Sequence, residues 1–264
     1  MIQEQLRQAG YENQLILWTG HRSLVIRASG PEKSSLIIKA LNIEYPDSTE
    51  ISRFQYEFEI LRKFNSDRVV KAVGLLRFGH SLAFSMEDNG ADSLEAKKYP
   101  LREALSLARE AAYAVSDIHE KRIVHKDINP GNFIRKPDSD HLWLIDFGIS
   151  SVLPSGFHQA VYADPEGTLP FLAPEQTGRM NRCIDYRTDY YSLGAMYYLL
   201  FTGQYLFDGI ENDAGWIHAH LSKTPVSVLS RCPELPQTVQ TIVAKLLMKN
   251  AEDRYQNIQT LIKD

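Results

Sequence analysis

Cysteine is scarce: 264 residues hold two, Cys183 and Cys232. That pair offers no disulfide framework and no metal-ligand spacing, and a reducing cytosol is its simplest setting. Basic charge is not in excess either. Lys plus Arg number 29 against 33 Asp plus Glu, a formal net charge of −4, which speaks against a nucleic-acid binder. Long apolar runs are absent: the longest, around Leu193 to Phe201, is too short to span a bilayer. The N-terminal stretch Met1 to Arg7 has none of the apolar core of a signal peptide. No repeat or low-complexity tract occurs, which excludes a repeat architecture. The chain reads as a soluble, cytoplasmic protein without membrane insertion or nucleic-acid partners.

What is present is ordinary globular material, 44% hydrophobic and 23% charged, enough for one large domain or two lobes around a cleft. The first third is strand-rich. Leu15 to Trp18 and Leu24 to Arg27 flank a turn at Thr19-Gly20-His21, and Ser35 to Lys39 is a β-branched run. Ile51, Phe54, Phe58, Leu61 and Phe64 follow helical spacing, with Asp47 and Glu50 as N-terminal caps. Leu82 to Met86 reads as another strand, and the polar connector around Gly90 and Asp92 as a lobe boundary. Helices dominate thereafter. Leu101 to Glu120 carries Leu101, Leu105, Ala108, Ala112, Val115 and Ile118 on one face. A short strand at 142–145, an all-round apolar helix at 189–202 and an amphipathic helix at 235–249 follow. The last residues, 256–264, read as a helix cut near its end, so the chain is expected to be one domain of a longer protein.

The sharpest segment is His125-Lys-Asp127-Ile-Asn-Pro-Gly-Asn132, with Asp146-Phe-Gly148 fourteen residues further on, after the short strand. A carboxylate and an amide on one loop, with a second carboxylate at a strand end, suit a metal–phosphate site. Mg²⁺ takes hard oxygen ligands and uses only one or two carboxylates beside substrate phosphates. Asn132 and Asp146 can supply those oxygens, and Asp127 can accept the proton of an attacking hydroxyl.

These residues resemble the catalytic and metal-binding loops of protein kinases, and the other parts of that family follow in order. Ile37-Ile-Lys39 is similar to the strand whose lysine holds the α- and β-phosphates of ATP. Glu57 falls where the lysine-pairing glutamate sits. Met86 to Asn89 resembles the hinge, with Met86 as gatekeeper. Ala173-Pro-Glu175 ends an activation segment, Asp189 to Gly194 resembles the helix that anchors the catalytic loop, and Arg254 falls where an arginine pairs with that glutamate. Taken singly, Lys39 and Glu57 would be a surface lysine and a solvated helix charge, and His125 a packing residue. Eight elements in order and spacing, from about Leu15 to Lys263, carry the resemblance.

The resemblance implies an α+β, bilobal protein-kinase-like fold, with a small antiparallel β-sheet N-lobe bearing one helix (1–88), a hinge connector (89–92) and a larger helical C-lobe (93–264). It implies ATP and Mg²⁺ as cofactors and a protein substrate. The catalytic residues would be Asp127, Lys39 and Asn132. Nucleotide would be held by Lys39, Glu57, Gly20, Val25, Ile37, Met86, Glu87, Asn89 and Asn129, and metal by Asn132 and Asp146. Thr168, in Gly167-Thr-Leu-Pro-Phe-Leu-Ala-Pro-Glu175, matches the threonine of serine/threonine kinases, and Ser150, Ser151, Ser155 and Tyr162 are candidate phosphorylation sites.

The sequence also departs from the family. Of the glycine-rich loop only Gly20 survives, between Trp18 and Ser23. Asn129 replaces a lysine, Lys126 an arginine, and Ile37 a small alanine. Glycine admits close approach of backbone to phosphate, and lysine lacks the bidentate fork of arginine, so control by loop phosphorylation is less expected. His125 to Pro130 together with Pro174 to Arg182 and Asp185 to Asp189 resembles the N-terminal kinase modules of large bacterial signalling proteins, which carry ATPase-type, sensor and often histidine kinase regions. Two rival readings stand beside an active kinase. One is a nucleotide-binding pseudokinase scaffold. The other is a small-molecule phosphotransferase, which shares Pro130-Gly-Asn132 but lacks the Ala-Pro-Glu segment.

Overall fold

Alternation of period two along the first third of the chain builds a sheet with two unlike faces. The computed structural model describes residues 2–78, 81–153, 165–180 and 182–264; Ser155 and Tyr162 fall outside them. Two units emerge, residues 1–91 with 146–148, and residues 92–145 with 149–264.

The first unit contains α1 (Ile2–Gln8), β1 (Glu12–Thr19), β2 (Ser23–Ser29), β3 (Ser35–Leu41), α2 (Ser48–Leu61), β4 (Ala72–Phe78) and β5 (Ser81–Glu87). Among the described residues the strands form one five-stranded sheet, ordered β1-β2-β3-β5-β4 and antiparallel throughout. One face carries Leu24, Ile26, Ala28, Ile38, Ala40 and Ala83, which pack into a core with Leu6 of α1 and Tyr11. On the other face Phe84 meets Phe54 and Phe58 of α2, ring centroids 5.0 and 5.9 Å apart.

The capping residues expected for α2 form a complete capping box. The Glu50 N–H donates to the Asp47 carboxylate, and the Asp47 N–H to that of Glu50. Phe64 lies beyond the end of α2, because the chain has already turned at Arg62 and Lys63. Its ring packs instead on Phe147 at 5.4 Å. The one-helix expectation also needs correction, since α1 is a second helix. Seven residues with a single buried position give no periodicity to read. Nor was β4 foreseen, as its residues are half-buried and interrupted by Gly74.

The second unit holds β6 (Asp92–Ser93), α3 (Leu101–Glu120), β7 (Ile123–Val124), β8 (Phe133–Arg135), β9 (Trp143–Leu144), β10 (Ser151–Val152), α4 (Arg187–Thr202), α5 (Asp213–Ser222), α6 (Val228–Arg231), α7 (Gln237–Leu246) and α8 (Ile258–Lys263). Helix α4 is buried at every residue from Thr188 to Thr202, as its all-round apolar sequence predicts. Gly194 lets α7 come close: a Cβ there would stand 2.7 Å from the Cβ of Leu246. Helix α3 spans the expected residues, with Ala108, Ala112, Val115 and Ile118 buried as expected, but its buried stripe is broader and leaves out Leu105. Leu105 is 43% exposed while Ala104, Leu107, Ala111 and Ala114 are buried. Helix α7 is shorter than the amphipathic run 235–249, because Pro236 stands at its N-cap. Among the described residues no helix is long and apolar enough to cross a membrane.

One division departs from the sequence reading. Asp146 to Gly148, counted with the C-lobe, belong by their contacts to the first unit, where Asp146 pairs with Lys39 and Phe147 with Phe64.

Candidate functional site

In the first unit, strand register gathers the expected nucleotide-binding side chains. Val25 lies opposite Lys39, Arg27 opposite Ile37, Ile37 opposite Met86 and Lys39 opposite Phe84. Directly paired residues share a face, so Val25, Ile37, Lys39 and Met86 stand on the face that α2 packs against.

Lys39 is 8% exposed. Its ammonium donates to both Glu57 oxygens at 2.7 and 3.0 Å and to Asp146 Oδ1 at 2.8 Å. One cation thus faces two carboxylates, and the electrostatics follow from that imbalance. Burial works against the ammonium, but Glu57 and Asp146 outweigh it and hold Lys39 above its ordinary pKa. For Glu57, burial dominates the pull of Lys39, Asp146 adds repulsion, and the carboxyl is pushed up to about 7. Asp146 itself adopts a left-handed backbone, φ 63°, a conformation that costs a non-glycine residue on the order of 1 kcal/mol. The Gly148 N–H donates to its Oδ1 at 3.2 Å.

The stretch expected to be the hinge is held by Asp88. Asp88 accepts from the Ser35 hydroxyl at 2.6 Å and the Gly90 N–H at 2.9 Å, with Arg27 Nε 2.9 Å away. Glu87 is exposed and Asn89 half-buried on either side of it, and the Glu87 N–H donates to the Lys71 carbonyl. Arg27, Ser35 and Asp88 were not among the sequence candidates. Gly20 has a local task too. A Cβ there would fall 1.9 Å from the Trp18 ring, so the missing side chain makes room for the indole. Asn42 donates to its carbonyl, and the Gly20 N–H to that of Ser23.

In the second unit, the loop 125–132 is held by groups that were legible as motifs. The fully buried Asp189 carboxylate accepts from the N–H of His125 (3.0 Å) and of Lys126 (2.8 Å), and from His119 Nε2 (2.8 Å). These bonds support Lys126 in a left-handed conformation, φ 67°. His125 plays the packing role expected: buried, with Nε2 donating to the Ile145 carbonyl.

Both oxygens of Asp127 are oriented. Oδ1 accepts from the Thr168 N–H at 2.8 Å, and Oδ2 from Asn132 Nδ2 at 2.9 Å. Asn132 Nδ2 also donates to the Asp127 carbonyl, so none of these bonds uses its Oδ1. Asn129, in place of a phosphate-reaching lysine, donates to the Asp127 carbonyl and the Thr168 hydroxyl, which braces the loop. Lys126 Nζ lies 3.7 Å from Glu166. Glu175 and Arg254 form the expected buried pair, two bonds of 2.7 and 2.8 Å. The remaining Arg254 N–H groups donate to the carbonyls of Arg187, Met248 and Lys249.

Asp146 in the first unit has a carboxylate and Asn132 in the second an amide oxygen, each a hard donor of the kind Mg²⁺ prefers. The surplus negative charge around Lys39 fits a further cation. No cluster of three or more His, Cys, Asp or Glu ligands occurs among the described residues.

Comparison with known proteins identifies the family. The family model described as protein kinase domain matches residues 11–264. The probable serine/threonine-protein kinase PknB of Lactococcus lactis is 27% identical over 235 residues, 86% of this chain and 36% of that protein. Serine/threonine-protein kinase PknF of Mycobacterium tuberculosis is 36% identical over 162 residues, 60% of this chain and 33% of that one. PknB of Mycobacterium leprae is 28% identical over 165 residues, 62% and 26% respectively. The chain thus spans about a quarter to a third of the length of these relatives.

Proposed function

The chain belongs to the protein kinase domain family, and on that premise we propose that it transfers the γ-phosphate of ATP to serine or threonine hydroxyls of a protein substrate. The observation that carries this reading is the buried Lys39 ammonium shared between Glu57 and Asp146. A structural ion pair needs one carboxylate. A second, in strained backbone, supports a site that awaits phosphates and a cation.

Phosphoryl transfer asks for positioning and charge neutralisation rather than covalent work by the protein. Lys39, oriented by Glu57, binds the non-transferred phosphates. Val25 and Ile37 cover the adenine beside Met86, and backbone groups at Glu87 and Asn89 hydrogen-bond it, with Gly20 and Asn129 as further nucleotide-binding residues. Asn132 and Asp146 would hold Mg²⁺, which when bound offsets phosphate charge. Asp127, its carboxylate fixed by Asn132 and Thr168, orients the acceptor hydroxyl and takes its proton. The chain acts in the cytoplasm as one module of a longer bacterial signalling protein.

The test is transfer of labelled γ-phosphate with Mg²⁺ onto the protein itself and onto a basic acceptor protein, wild type against Asp127→Ala. Label on Ser or Thr that vanishes in the variant supports the reading. Label that persists removes Asp127 as the base. Absence of label, with nucleotide still raising the melting temperature, turns the reading into a scaffold.

A further inference from the structure

Two buried side chains with no part in the transfer chemistry hold the backbone around Thr168 from both ends. On one side stands Gln176, 1% exposed, in the 3-10 turn Pro174–Thr177. Its Nε2 donates to the carbonyls of Lys126 at 2.7 Å and Glu166 at 2.9 Å, and its Oε1 accepts from the Ala173 N–H at 3.0 Å. One amide therefore joins the strained residue before Asp127 to the residue two before Thr168.

On the other side stands His220 of α5, 0% exposed. Its Nε2 lies 2.8 Å from the Leu169 carbonyl and its Nδ1 3.0 Å from the Tyr191 hydroxyl. A carbonyl only accepts, so Nε2 carries the proton and Nδ1 accepts from Tyr191. Burial pushes His220 down to about 4, with the Leu169 carbonyl opposing and Lys249 assisting, so this neutral tautomer persists around neutral pH. Trp216 stacks on the ring, while Phe207 and Tyr191 meet it edge-on.

Between the two anchored carbonyls sits Thr168, whose N–H donates to Asp127 Oδ1. The fit is close: a Cβ on Gly167, φ 129°, would stand 3.0 Å from the Lys126 carbonyl oxygen. We infer that Gln176 and His220 are positioning residues for phosphoryl transfer, fixing the 166–169 backbone so that Thr168 aims the Asp127 carboxylate at the acceptor hydroxyl. The inference rests on the kinase reading of Asp127. Packing alone would ask for an apolar chain and a ring at these positions. Two of their hydrogen bonds end on Glu166 and Leu169 of this segment and a third on Lys126 beside Asp127; such anchoring asks for more, because misplacement by about 1 Å costs on the order of 100-fold in rate.

The test uses the full chain with a histone mixture as acceptor. Gln176→Met and His220→Phe keep chain length and ring packing while removing the hydrogen bonds; His220→Gln retains a donor near Nε2. Each of the first two should lower kcat about tenfold or more with KM for ATP within about twofold, and His220→Gln should recover most of the loss. The double variant should fall little below the worse single one, since both act through one contact. Folded variants with wild-type kcat, a KM for ATP rising in step with the loss, or losses that multiply in the double variant would overturn it. Should Gln176→Met not fold, the His220→Phe and His220→Gln pair decides alone. Wild-type protein that transfers no phosphate defeats the kinase reading itself; transfer indifferent to both positions defeats only this inference.

Discussion

At Lys39 one ammonium serves two carboxylates, and that imbalance has consequences in pH. Glu57, ordinarily near 4.5, is pushed up to about 7 by burial, against the pull of Lys39. The folded chain therefore holds this proton more tightly than the unfolded chain does. The stability linked to it is present below about pH 4.5 and is lost as pH rises through about 7. Lys39, raised above its ordinary value by Glu57 and Asp146 against burial, stays charged across that window and does not offset the trend. Activity runs the other way, because only ionised Glu57 holds the ammonium in place. We expect kcat/KM for ATP to fall below about pH 7 in wild type, and Glu57→Gln to lower it at neutral pH while abolishing this acid limb. An unchanged limb in the variant would assign the titration elsewhere. Asp88 makes a second case at this scale. Burial would raise its pKa, yet bonds from Ser35, Gly90 and Arg27 lower it, so a charged clamp fixes the hinge backbone. Asp88→Ala is expected to raise KM for ATP about tenfold at near-constant kcat, the pattern of lost uniform binding; steady-state kinetics at varied ATP would check it.

Among the elements, those that advertise themselves do so through chemistry that is local. The α2 capping box, the buried α4 and the 125–132 loop could be read because caps, all-round apolarity and clustered polar residues sit contiguously in sequence. Helix α3 was found with Ala108, Ala112, Val115 and Ile118 of its face buried as expected, but alanines at 104, 111 and 114 widen that face and Leu105 does not belong to it. Small residues mark a buried face without a hydrophobic signal. The Arg27–Ser35–Asp88 clamp and the Gln176 and His220 anchors were missed for another reason. Their partners lie far off in sequence, and only strand register or helix packing brings them together. Helix α1 shows how little length has to do with weight. Its Leu6 is fully buried in the core formed by Ile26, Ile38 and Ala83. Leu6→Ala should cost about 2–5 kcal/mol by leaving a cavity, measurable as a lower denaturation midpoint. A loss below about 1 kcal/mol would mean that the core closes without α1.

The chain passes between its two units at 91–92, again at 145–146 and at 148–149, so the first unit draws three of its residues from within the second unit's stretch of chain. One of the three is Asp146, which contributes half of the negative charge facing Lys39. Lys39, Glu57 and Asp146 thus belong to the smaller unit, whereas Asp127, Asn129 and Asn132 belong to the larger one. A smaller unit buries a smaller fraction of its surface and is the less stable on that ground, and two cores in one chain need not melt together. Calorimetry of the full chain should therefore show a broadened or double transition. Mg-ATP should move its lower-temperature part, by about 2.7 kcal/mol at a hundredfold excess over Kd. Lys39→Met should abolish that shift and phosphoryl transfer together, and Asp146→Asn should remove its dependence on Mg²⁺. Asp127→Asn should keep the shift and lose transfer alone, because the carboxylate is needed for the acceptor proton and not for nucleotide. A shift that survived Lys39→Met, or that vanished with Asp127→Asn, would show that these two residues do not divide nucleotide binding from proton acceptance.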